Sequence, residues 1–178
     1  MKTKKEFAAK AKELKAAVEF FTLQFENARK EWAASGYNDD GAYRNYCEFE
    51  SARKQAERDY KYYSLLAGDA PFYANQVFYT DWEPWEVIEI KTDRCIVIRK
   101  MKSEIKKEAA EALQDSFVPG GFCGHFNNDL QEWDITSNPE GEIATVRRHK
   151  DECFYFAGAS GNRFYVEAEP YKYYDYNF

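Results

Sequence analysis

Between residues 7 and 32 the apolar positions recur at alternating steps of four and three: Phe7, Ala11, Leu14, Val18, Phe21, Phe25, Ala28 and Trp32. That spacing draws one seam along a helix, and such a seam needs a surface to bury it. Thr3 followed by Glu6 has the form of a capping box, so the spacing predicts a helix from Thr3 to about Ala34. The stretch SGYNDDG at 35–41 breaks it, with Asp39 or Asp40 as the cap of a second helix. The second seam runs through Tyr46, Phe49, Ala56, Tyr60, Tyr63 and Ala67, with Arg53 filling one position. Gly68 is placed to end it in the left-handed conformation, and Pro71 prevents a restart. A short linker makes the two helices an antiparallel, coiled-coil-like hairpin over 1–68. Phe20 and Leu23 widen the first apolar stripe beyond the seam.

From Gln76 the hydrophobic period changes to two. Gln76–Thr80, Trp85–Lys91 and Cys95–Met101 read as strands, the last two joined by a tight hairpin at Thr92-Asp93-Arg94. Ser103–Gln114 reads as a helix or a charged loop, and Pro119-Gly120-Gly121 as a turn. Glu132–Thr136 and Glu142–Arg148 flank Asn138-Pro139-Glu140-Gly141. Pro at the second and Gly at the fourth position fit a type I turn and predict a hairpin there. Cys153–Ala157 and Arg163–Val166 flank another at Gly158–Asn162. The aromatic tail YKYYDYNF is expected to be docked, as a closing strand. The fold class is therefore α+β: the hairpin, then a small antiparallel β-barrel or bent sheet over 72–178.

Charge separates the same two regions. Residues 1–68 carry 13 Lys+Arg against 11 Asp+Glu, and residues 69–178 carry 12 against 20. An acidic β module is not a general binder of phosphate backbones. Aromatic residues make up 18% of the chain, and rings with polar tips suit recognition as well as a small core. Four scattered cysteines, a Lys-rich start without an apolar stretch and no membrane-length run predict a cytoplasmic protein with reduced thiols.

Few residues suggest chemistry. Cys123, His125, His149 and Cys153 supply zinc-ligand types, but the Cys-x-His half is tight for a tetrahedral site. Cys123 with His125 is also the one Cys-His nucleophile pair. The carboxylates follow no hydrolase spacing, and phosphate-loop, dinucleotide and nucleophile-elbow motifs are missing. Neither catalysis nor a cofactor is expected. Asp81-Trp82-Glu83-Pro84-Trp85, with Glu86, is the candidate partner-binding segment, because exposed Trp makes interaction hot spots. For nucleic acid the candidates are Lys4, Lys5, Lys10, Lys12 and Lys15 on the first helix, and Arg147, Arg148 and Lys150.

WEVIEI, FVPGGFCGHFNN, SNPEGEIATVRRHKD and YKYYDYNF resemble segments of small phage- and prophage-borne proteins, over roughly residues 75–178. The resemblance implies a mobile-element origin and carries over no catalytic residue. It suggests a protein of the anti-CRISPR kind, which binds a host CRISPR effector nuclease, or its nucleic-acid complex, and blocks it without catalysis. A phage nucleic-acid-binding accessory protein is the second expectation, and a small zinc or Cys-His enzyme the third. The hairpin is a candidate for homodimerisation into a four-helix bundle.

Overall fold

The computed structural model describes residues 3–120, 125–149, 153–158 and 161–177. The chain divides into two compact units, Met1–Asp69 and Ala70–Phe178.

The first unit is the helical hairpin. Helix α1 spans Lys4–Ala34 and α2 spans Asp40–Ala67. The Thr3–Glu6 capping box forms with both of its hydrogen bonds, and Asp39 caps α2 by accepting from the Ala42 N–H at 2.9 Å. Ring contacts fix the antiparallel register: Phe7 meets Tyr63 at 6.2 Å, Phe25 meets Tyr46 at 5.1 Å, and Trp32 meets Tyr43 at 4.8 Å. Arg53 holds its seam position by laying its guanidinium over the Phe25 ring, 5.1 Å from the centroid, and pairing with Glu57 at 2.6 Å. Two expectations fail here. Gly68 ends α2 in an extended conformation (φ −77°), and the left-handed residues are Gly36 and Tyr37 in the turn. Phe20 and Leu23 do not widen the seam: at 100° per residue they fall on the opposite side of α1, and they are 55% and 56% exposed.

The second unit is a closed barrel of six antiparallel strands. They are β1 (Tyr73–Val77), β2 (Trp82–Thr92), β3 (Cys95–Lys100), β6 (Ile143–Arg148), β7 (Phe154–Phe156) and β8 (Arg163–Glu167), in that order. β8 pairs with β1 and closes the ring. The 11-residue β2 can serve both neighbours because two register shifts, between Val87 and Glu89 and between Ile90 and Thr92, bend it. Inside, Trp85, Phe156 and Phe164 meet edge-on with centroids 4.9–6.0 Å apart, among Ile96, Ile98 and Val146. The Trp85 indole N–H donates to Gln76 Oε1 at 3.1 Å, which satisfies two polar groups inside the barrel.

Between β3 and β6 the chain leaves the barrel. It forms β4 (Lys102–Ile105), helix α3 (Lys107–Asp115), a 3-10 turn (Asn128–Leu130) and β5 (Trp133–Thr136). β4 and β5 make a separate two-stranded sheet. The type I turn at Asn138–Gly141 forms, with the Gly141 N–H on the Asn138 carbonyl at 2.8 Å, but the predicted hairpin does not. Its flanking strands belong to different sheets, β5 with β4 and β6 with β3 and β7. Local turn chemistry sets a reversal, whereas strand pairing depends on distant partners.

The tail docks, though not as the closing strand. Asn75, 1% exposed on the outside of β1, donates to the Glu169 carbonyl at 3.1 Å and accepts the Tyr171 N–H at 2.9 Å. Further on, Tyr173 and Trp82 exchange backbone hydrogen bonds. The last residues are stitched to the loop at 126–131. Asn177 bonds both backbone groups of Phe126, Asn128 bonds Asp175 and the Tyr176 N–H, and Gln131 bonds both backbone groups of Tyr174. Phe126, Asn128 and Gln131 of this loop and residues 174–177 of the tail are thus each other's partners in the fold.

Candidate functional site

The β1–β2 turn is closed by the Phe78 N–H on the Asp81 carbonyl at 2.9 Å, and it holds Tyr79 at its tip, 93% exposed. Trp82 follows on the outer face of the barrel, where alternation along β2 sends Trp85 inward. Its ring reaches across β1 to stack on Tyr165 of β8, with centroids 5.8 Å apart and planes at 28°. Tyr171 of the tail meets Trp82 edge-on at 5.4 Å, held there by the Asn75 clamp. The exposed Arg163 places its guanidinium over Tyr165, 5.8 Å from the ring centroid. The result is a ring-and-guanidinium platform beside the projecting Tyr79. Trp, Tyr and Arg are the residues that dominate binding energy at protein interfaces.

No protein family, curated protein or solved structure matches the chain. Of the five residues marked in the sequence, Trp82 lies in the platform and Asp81 borders it. Asp81 accepts the Asp175 N–H at 2.9 Å, so its carboxylate anchors the tail. Trp85 is corrected from contact to core: it is 2% exposed, and its ring is spent inside the barrel. Glu83 is ion-paired with Lys172, whose side chain is only 9% exposed, and lies 3.9 Å from Lys100. Glu86 pairs with Arg99 at 2.7 Å and accepts the Ser137 hydroxyl at 2.8 Å. Two of the three carboxylates, Glu83 and Glu86, are thus paired with neighbouring cations, which leaves little free charge on them for a partner.

Burial pushes the Glu86 carboxyl up, but Arg99, the Ser137 hydroxyl and the Asn138 N–H together outweigh it and hold it below its ordinary value of 4.5. A depressed carboxylate contributes stability that is complete above its unfolded value and is lost as pH falls through the folded one. Urea midpoints should therefore fall below about pH 4.5, and Glu86→Gln should flatten that decline. An unchanged pH profile in the variant would remove Glu86 from this role.

The nucleic-acid candidates are dispersed. Lys4 pairs with Asp69 and Lys10 with Glu13, while Lys5, Lys12 and Lys15 are exposed along one side of α1. Arg147 is exposed on β6, Arg148 is 7% exposed, and Lys150 lies outside the described residues. Of the zinc candidates, Cys123 also lies outside them. His125 pairs its backbone with Val118, and the His149 ring lies 4.8 Å from that of Tyr155. The His149 N–H reaches the Cys153 carbonyl at 2.9 Å, so these two residues meet through backbone. Among the described residues no group of three or more His, Cys, Asp or Glu is arranged to hold a metal. Among them, too, no helix is long and apolar enough to cross a membrane.

Tyr79, Arg163, Tyr165 and Tyr171 escaped the sequence reading. The available signal was the alternation in RFYVE, which sends Phe164 inward and Tyr165 outward.

Proposed function

We propose that the protein works by binding, as an anti-CRISPR-like inhibitor that occupies a host CRISPR effector nuclease without catalysis. The observation that carries the reading is the platform of Trp82, Tyr165, Tyr171 and Arg163 with Tyr79 beside it: residues of hot-spot type, with Trp82 and Tyr165 half-buried and Tyr79, Arg163 and Tyr171 exposed, preorganised by stacking and by the clamped tail. The excess of Asp and Glu over residues 69–178 supports a basic target surface such as a nucleic-acid channel, because net charge steers encounter even where individual carboxylates are paired. The resemblance to phage-borne segments supplies the class of target.

The test is inhibition of guide-directed DNA cleavage across purified effectors. Wild-type protein should block at least one of them. The Trp82→Ala/Tyr171→Ala variant should need about thirtyfold more protein or beyond for the same effect. Equal inhibition by variant and wild type would move the contact surface elsewhere, and uninhibited cleavage in every effector would overturn the reading. Binding to bare DNA or RNA that weakens steeply with salt would favour the nucleic-acid reading, for which the exposed line Lys5, Lys12 and Lys15 is the supporting feature.

A further inference from the structure

We propose that the open end of the barrel is a pocket for a small zwitterion, an α-amino acid taken free or as a dipeptide. The pocket has a volume of about 460 Å³, within the range of small-molecule sites. Its floor is built by strand register. Glu83 continues the inward row of Trp85, and Lys100 that of Ile98, so both side chains stand where the barrel interior ends. The tail adds Lys172, which bridges Glu83 and the face of Trp133, 5.4 Å from the ring centroid. One carboxylate between two ammonium groups leaves the floor with an excess positive charge. Lys172 is enclosed, but Lys100 is 42% exposed and, at 3.9 Å from Glu83, is beyond hydrogen-bond reach of it. Its ammonium is free to donate to an anionic group.

The rim has the opposite sign. Glu140 and Glu142 line the same pocket and are exposed, while Lys102 is drawn to Glu104 at 2.7 Å. A ligand that carries a carboxylate towards Lys100 and an ammonium towards the rim satisfies both ends, and the Trp133 ring offers a wall for its carbon skeleton. A simple anion would meet repulsion at the rim, and a simple cation at the floor.

Isothermal titration of the full chain with free amino acids of each side-chain class, their carboxamides and their N-acetyl forms tests this. At least one free amino acid should bind one to one. Amidation or acetylation should weaken it by about tenfold or more. Lys100→Gln should lose the preference for acid over amide, and Lys100→Arg should keep it, with circular dichroism confirming that both variants fold. Dipeptides binding more tightly than free amino acids would assign the peptide source, and the reverse the free one. Absence of saturable binding up to about 10 mM, or equal binding of acid and amide, would overturn the proposal.

Discussion

Replacing Trp85 with alanine should cost the barrel about 3–5 kcal/mol, a large share of the stability of an ordinary domain. The indole is 2% exposed and meets Phe156 and Phe164 edge-on, so its removal deletes ring contacts on two sides and leaves a cavity that a closed barrel cannot collapse to fill. It also strands Gln76 Oε1, a buried acceptor that the indole N–H satisfies. Trp85→Phe should be milder, because it keeps an apolar ring while losing the hydrogen bond. Urea unfolding followed by near-ultraviolet circular dichroism measures both. A loss under about 1 kcal/mol for Trp85→Ala would place the ring outside the core.

Gly141→Ala should cost about 2 kcal/mol or more, although the residue sits in a surface turn with ordinary backbone angles. A Cβ at Gly141 would overlap the Lys100 carbonyl oxygen and stand 3.0 Å from that of Asn138. Neither oxygen can swing away as a side chain would. The Lys100 N–H is bonded to the Glu142 carbonyl, and the Asn138 carbonyl closes the turn. The turn would have to lift off β3, loosening the contacts that Ser137 and Asn138 make with Glu86. Gly161→Ala, where a Cβ meets nothing within 4 Å, is the control and should stay within about 0.5 kcal/mol. Equal stability of the two variants would contradict the close approach.

These cases show how far the sequence could be read. The hairpin was legible because helix seams and caps are local: Thr3, Glu6 and Asp39 act within one turn of chain. The α+β order was legible from the change of period at β1. The split of β5 and β6 into different sheets was not, since the NPEG turn specifies a reversal and says nothing of which strands pair. β4 was missed because KSEI is short and half charged, and it exists through its pairing with β5. The candidate surface was half legible. Asp81 and Trp82 stood out as a cluster, but Tyr165 and Tyr171 join Trp82 only through barrel closure and the Asn75 clamp, contacts that span some ninety residues. The same closure takes Trp85 inward, and sequence proximity to Trp82 could not reveal that.

We propose that this protein acts by occupying a partner rather than by transforming it. The endpoint of an inhibition titration, with effector nuclease held well above its dissociation constant, tests this most directly. An occupying inhibitor predicts activity that falls linearly and vanishes near one equivalent of protein. Complete inhibition by a small fraction of an equivalent, lost when one cysteine or histidine is replaced, would mean turnover and would contradict the account.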